Sequence, residues 1–502
     1  MKKHFTSSLS ILLLMMLVMS SCELDETVFS SIYTENFYKT ASDAEAAIAA
    51  AYDPIADMYG GPAATLVSDF SADQTYPRVA VSRNTLTLFS YDVSYAGQIT
   101  AGRLFESPQQ IWLSGYDGIE KSNWVIEKVQ STNMDANRKK EIIGEAYFLR
   151  AFYHWMLTKN FNEVIVKIKA SDVQANAYRN KSTKAEVYAQ IYMDLDSAIA
   201  KLPVHTASLV KGRASKETAT ALYAKAALYN EDWAIALAKA QAVFTNPYLK
   251  LMTEVKDVYD VTKEDVARTE NIFAFESESA TSVSGSTSSR GHQLPGLFGP
   301  AGSAAPAYAA TSFGSFFAYQ SFFDSFNPVD KRRQLLDTTF VDKAGKTIRQ
   351  KNITPITTKA VLVKKYQDPI SLSGNTNNIP ILRLADVYLI AAEAEARLNG
   401  ATAVAYGFIK VIRDRAGLPD LTARLSQQQF VDAVIQERSW EFFAEGDRWY
   451  DLTRTDKFLT VIPTAVNDVF PVRSPQPRHK YFPIPQDELN ANPQLQQNGP
   501  WQ

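Results

Sequence analysis

The chain has 502 residues, 46% hydrophobic and 21% charged, which is the balance of a globular protein and not of a disordered or polytopic membrane one. A formal net charge of −2 supplies no basic field for nucleic acid. The single cysteine excludes an intramolecular disulfide framework and a cysteine zinc cage, and the low glycine (21) and proline (22) counts point to long regular elements.

In chain order, residues 1–21 read as a signal peptide. Lys2, Lys3 and His4 form a basic start, and Ile11 to Met19 form an apolar run about half the ~20 residues that span a bilayer as a helix. The small residues Ser20 and Ser21 stand directly before Cys22. That placement resembles a bacterial lipobox, which implies that Cys22 is acylated and anchors the chain, at about 0.8 kcal/mol per buried methylene. The expectation is an exported chain with no transmembrane helix after processing.

Residues 60–118 carry Gly, Pro, Asp and many aromatics without clean periodicity, so they read as irregular. Ile142, Ala146, Leu149, Tyr153 and Met156 then lie on one helical face. Val187, Ile191, Leu195, Ala198 and Leu202 predict another helix, stopped by Pro203. The stretch from Leu222 to Asn230 precedes a stripe of Trp233, Leu237, Ala240 and Phe244. Residues 277–321 are rich in Ser, Gly, Ala and Pro and then aromatic, a length of loop that is usually functional or disordered. β-Branched runs in 338–365 predict a small hairpin. Finally Leu384, Val387, Ala391, Ala394 and Leu398 lead to Gly400, which suits a helix end, and Val404, Phe408 and Val411 follow. Paired helices with alanines at close-approach positions are the grammar of tetratricopeptide hairpins, here degenerate and widely spaced. The predicted fold is mostly α, one body over 22–502: a helical-hairpin part (22–260), a loop-rich insert (261–370) and a C-terminal helical part (371–502).

Several motifs carry a resemblance. Gly144-Glu-Ala-Tyr-Phe-Leu-Arg-Ala-Phe-Tyr153 and Ile381-Leu-Arg-Leu-Ala-Asp-Val-Tyr-Leu-Ile-Ala-Ala-Glu-Ala394 resemble signature helices of the SusD/RagB family of outer-membrane nutrient-binding lipoproteins. So do Ile412 to Leu418, the Glu437-Arg-Ser-Trp-Glu-Phe-Phe-Ala-Glu-Gly-Asp-Arg448 element, and Phe482-Pro-Ile-Pro485 with Asn492-Pro493. The acidic Glu23, Leu24, Asp25 and Glu26 resemble a surface-export signal of such lipoproteins. The resemblance implies a SusD-like helical body on the cell surface of the outer membrane, acting as a hinged lid over a SusC-like TonB-dependent transporter. It implies capture of oligosaccharides or, in the alternative reading, of peptides, by a binding protein and not an enzyme.

The residues themselves are weighed for chemistry. Glu437, Glu441 and Glu445 share one helix face. A glycosidase pair needs two carboxylates facing each other across a cleft, whereas stacked carboxylates call for counter-ions, for which Arg438, Arg448 and Arg383 are the candidates. A helical glycoside hydrolase is therefore the weaker alternative, and no catalytic residue is assigned. His154, His205, His292 and His479 have no metal-ligand spacing, and calcium-loop, nucleophile-elbow and phosphate-loop motifs are missing, so neither metal nor cofactor is expected. Ligand binding then falls to aromatics and polar groups on the irregular segments, since sugar C–H faces stack on rings and hydroxyls pair with polar side chains. The candidates are Asp69, Asp73, Tyr76, Arg78, Tyr91 and Tyr95 in the first segment and Arg290, His292, Tyr308, Phe313 and Tyr319 in the second. Trp112 and Tyr116 are read as core.

Overall fold

In this computed structural model the described residues are 37–78, 81–94, 107–170, 178–277, 294–301, 305–309, 312–354, 359–369, 376–467 and 469–502. The signal segment with Cys22, together with Tyr95, Arg290 and His292, lies outside them.

Several helices begin where the sequence places a side-chain oxygen to take up free backbone N–H groups. α1 (Ala41–Ile55) starts at a Thr40/Asp43 capping box. α2 (Ala63–Ser71) follows a short π-turn. α3 (Pro108–Lys128) has Ser107 as cap and Pro108 in its first turn. α4 (Ala136–Phe161) is capped by Asp135, α5 (Lys184–Ile199) by a Thr183/Glu186 box and α6 (Lys216–Tyr229) by Ser215. α7 (Trp233–Val243) follows directly. α8 (Leu384–Asn399) ends at Gly400, whose φ of 85° favours glycine. α9 (Ala403–Ala416), α10 (Gln427–Glu441) and α11 (Arg448–Arg454) complete the larger set.

From α3 to α9 each helix packs on the next, and α1 lies across α3 and α4. This is the expected hairpin architecture. α4 is more deeply embedded than a one-sided stripe implies: between Ile142 and Phe161 every side chain except Tyr147 is buried. Two stripes are rotated by about one residue from expectation. α7 buries Ala236, Ala240 and Val243, and α9 buries Ala405, Ile409 and Ile412 while Val404 is exposed. Small residues let backbones approach most closely, so in α7 the alanine edge faces the neighbour and larger side chains flank it. Phe244, at the end of α7, accordingly stacks beside the contact on Tyr388.

The first segment read as irregular is helical in part: α2, a helix over Val81–Leu88 and the start of α3 fall within 60–118, and Trp112 is core. The strands among the described residues form four antiparallel pairs. β1 (Thr75–Pro77) pairs with β3 (Phe316–Ala318), and β2 (Asn271–Phe275) with β8 (Ile379–Arg383). β4 (Leu336–Asp337) pairs with β7 (Leu362–Val363). β5 (Thr339–Val341) and β6 (Thr347–Arg349) form the small hairpin expected in 338–365. No helix among the described residues is long and apolar enough to cross a membrane.

Candidate functional site

β1 leaves α2 as an extended Thr-Tyr-Pro segment and pairs with β3 in the register Tyr76 to Phe317. Beyond the ladder, Arg78 N–H donates to the Ser315 carbonyl at 2.7 Å and Tyr319 N–H to the Gln74 carbonyl at 3.0 Å. The two segments proposed separately from sequence thus meet along one seam, in the order 74–78 against 319–315.

Both faces of the ladder are core, every residue of β1 and β3 being buried. Tyr76 packs on Tyr319 with ring centroids 4.6 Å apart, and Phe316 packs between Phe70 and Phe298. Tyr91 lies among His479, Phe482 and Trp501, holding down the C-terminal segment. Tyr308 is buried, and its carbonyl accepts from Asp368 N–H at 2.8 Å. Asp69 is buried beneath Gly446 and Lys365. Burial pushes its carboxyl up to about 8, with the Lys365 charge and the Gly446 N–H opposing. For Asp69, Tyr76, Tyr91, Tyr308 and Tyr319 the expectation of an open ligand face is therefore corrected: their side chains are covered by other parts of the chain.

Phe313, Arg78 and Asp73, beyond the ends of the ladder, are less covered. Phe313 is 47% exposed, although its backbone is tied on every side. Its N–H donates to the Gly296 carbonyl at 2.7 Å, Gly314 N–H to Gly299 at 2.9 Å, and Ser315 N–H to Leu297 at 3.0 Å. Gly314 takes a φ of 58°, which turns the chain at that point. A large ring left in water is costly unless something covers it, and a backbone already held has less entropy to lose when a ligand stacks on the ring. Arg78, half-buried, stands across the ladder from this turn. Asp73 makes a two-pronged pair with Arg448, both contacts at 2.8 Å; burial alone would raise its carboxyl, but the guanidinium outweighs it and holds it low.

Sequence reasoning missed the residues that support this edge. Gln74 donates to the Ser439 carbonyl and hydroxyl, both at 2.8 Å. Arg473, 1% exposed, donates to the Ala72 carbonyl at 2.8 Å and lies over the Tyr319 ring. These contacts join positions hundreds of residues apart, and no local pattern signals them.

The three glutamates are buried in an ion network. Glu437 pairs with Arg332 and Arg413, each at 2.7 Å. Glu441 pairs with Arg415 at 2.6 Å, Arg383 at 3.0 Å and Arg332 at 3.3 Å. Glu445 pairs with Lys365 at 2.6 Å and Arg383 at 2.9 Å. Burial would raise the Glu441 carboxyl, but its three arginines overcome that and hold it well below the usual carboxylate range. Of the expected counter-ions only Arg383 serves these glutamates. Arg438 instead pairs with Asp386 and Asp451, and Arg448 with Asp73. His154 is packed, with Nδ1 2.9 Å from the Arg150 carbonyl.

A mostly α body of stacked hairpins, presenting an exposed ring and charged groups at the ends of a short strand pair, is a scaffold for binding. The SusD family model matches residues 342–501, and a second model, described as starch-binding associating with outer membrane, matches residues 30–228. The chain belongs to the SusD family. It is 26% identical to SusD-like protein P2 of Formosa agariphila over 100% of both chains. It is 32% identical over 126 residues to the starch-binding protein SusD of Bacteroides thetaiotaomicron, covering 24% of this chain and 21% of that one. Its fold is similar to surface glycan-binding protein A from Bacteroides thetaiotaomicron in complex with laminarihexaose. The TM-score there is 0.73 at 22% identity, over 92% of this chain and 100% of that one.

Proposed function

We propose that this protein is a cell-surface lipoprotein, anchored in the outer membrane through Cys22, that captures oligosaccharide and delivers it as a lid to a SusC-like TonB-dependent transporter. The observation that carries the reading is the exposed Phe313, on a backbone held by three hydrogen bonds and two residues from Ser315, which pairs with Arg78, in a chain of the SusD family. The ring offers a face to sugar C–H groups, and Arg78 offers donors to hydroxyls. Relatives support the ligand class: one is named a starch-binding protein, and a structural neighbour holds laminarihexaose. The role is binding, and no catalytic residue is assigned, because the three clustered glutamates are taken up by arginines and lysine.

The test is calorimetry of the detergent-solubilised full chain against a panel of oligosaccharides, with Phe313→Ala and Arg78→Ala as variants. At least one glycan binds, and each variant weakens it about tenfold, the scale of one lost stacking or charged contact at 1–3 kcal/mol. In cells, deleting the partner transporter leaves surface binding intact and abolishes uptake. Binding of peptides but of no glycan overturns the reading.

A further inference from the structure

A cavity with a volume of about 40 Å³ is lined by the end of α4, the start of α5, α11 and the C-terminal segment at 480–481. A buried water needs about 10–15 Å³ of such space, so there is room for about three waters or one small oxyanion, and none for a sugar ring. Four basic side chains line it, Lys159, Lys184, Arg454 and Lys480, against one acid, Glu231. Two of the four are neutralised by other acids. Arg454 pairs with Glu393 at 2.7 Å and Asp451 at 2.8 Å, and Lys480 pairs with Asp456 at 2.6 Å.

The other two are not. Lys159 is 8% exposed, and among the described residues it makes neither an ion pair nor a hydrogen bond. Its ammonium lies 4.4 Å from the Trp155 ring centroid and 4.3 Å from that of Tyr450, whose hydroxyl donates to Asn160 Oδ1 at 2.7 Å. Rings attract a cation without neutralising it. Lys184, half-buried, lies 5.5 Å from the Tyr188 ring centroid and likewise makes no ion pair. A buried ammonium without a counter-charge is costly. Burial pushes the Lys159 ammonium down to about 7, with Asp447 and Asp386 opposing and Lys225 adding to the fall. Those three groups are taken up with one another, Lys225 holding Asp386 at 2.8 Å and Asp447 at 2.9 Å. A neutral hydroxyl in the cavity would leave Lys159 and Lys184 uncompensated, whereas an anion compensates both.

We infer that this cavity is an oxyanion site, in which the buried Lys159 and the half-buried Lys184 hold a sulfate-like or carboxylate group. The group belongs either to a free inorganic ion or to an acidic substituent of a larger ligand whose remainder stays outside. None of the residues lining the cavity belongs to the Phe313 edge, so the site stands independently of the glycan reading.

The experiment is calorimetry of the detergent-solubilised full chain at fixed ionic strength, with sodium sulfate and, separately, digalacturonic acid. Lys159→Met keeps the length of the side chain without its charge, Lys184→Gln removes the charge at the half-buried position, and circular dichroism checks that each variant folds. The expected result is a single saturable sulfate event, abolished in Lys159→Met, weakened about threefold or more in Lys184→Gln and unchanged in Phe313→Ala. Sulfate keeps its charge between pH 6 and pH 8 while Lys159 gains its proton as pH falls, so the affinity rises about threefold or more from pH 8 to pH 6, and Lys184→Gln retains that rise. Displacement of sulfate by digalacturonic acid supports the site with an acidic substituent as its source, and sulfate binding without displacement supports it with a free ion. Absence of saturable binding by either probe, or binding unchanged in Lys184→Gln and flat with pH, overturns the site and leaves the proposed function standing.

Discussion

Asp69 is a carboxylic acid in a place that suits a neutral side chain. Its carboxyl is raised to about 8 from an ordinary 3.8, first by burial. A group raised in the folded state contributes stability that is complete below its unfolded value and is lost as pH rises towards the folded value. The window here runs from about pH 4 to about pH 8, with a slope of up to about 1.4 kcal/mol per pH unit. Asp69→Asn keeps an acceptor for Gly446 N–H and removes the titration. Chemical denaturation at pH 5 and pH 8 is expected to show the variant gaining on the parent protein towards the alkaline end. An equal difference at the two pH values would show that the acid is not held protonated. Sequence alone cannot make this distinction, because Asp69 and Asp73 stand four residues apart and differ only in what tertiary packing brings to each: a covering backbone for one, Arg448 for the other.

At the scale of elements, the helices were largely legible and their rotation was not. Caps mark where α5 and α9 begin, and the 3.6-residue period marks which residues of α5, α8 and α9 are apolar. Which of two adjacent stripes faces inward depends on how closely the neighbour can approach, and alanines decide that in α7. Glycine shows the same dependence with opposite signs. Gly118 in α3 lies against α4 so closely that a Cβ would stand 2.2 Å from the Tyr153 ring, and that ring is fixed by its hydroxyl bond to the Ala51 carbonyl. Gly407 in α9 is exposed with nothing within 4 Å. Gly118→Ala is expected to lose about 1–3 kcal/mol to overpacking despite a better helix propensity, whereas Gly407→Ala gains about 0.5–1 kcal/mol. Thermal unfolding of the two variants reads the signs directly; a gain at both positions would mean that α3 and α4 are less closely packed than their geometry requires.

Across the whole molecule, long-range contacts hold what local signals leave open. The candidate edge was legible as composition, aromatic and polar residues in two irregular stretches, and Phe313 was among them. That five other candidates are core could not be read, because the β1–β3 seam that buries Tyr76 and Tyr319 joins segments some 240 residues apart. The ion network works over similar distances: Glu270 before β2, Arg332, Arg383 at the end of β8, Arg415 on α9 and Glu441 at the end of α10 converge with contacts of 2.6–3.3 Å. Removing one partner leaves charges buried without compensation, which costs about 3–5 kcal/mol, more than the pair itself contributes. Glu441→Gln strips Arg332, Arg383 and Arg415 of a shared acceptor and is expected to lose stability of that order. Its glycan affinity below the unfolding transition is expected to stay unchanged, since the network lies in the interior and Phe313 at the edge. Denaturant titration and calorimetry on the same preparation separate the two effects. A folded variant with normal stability and abolished binding would place Glu441 in the binding site and overturn the structural role assigned to the three glutamates.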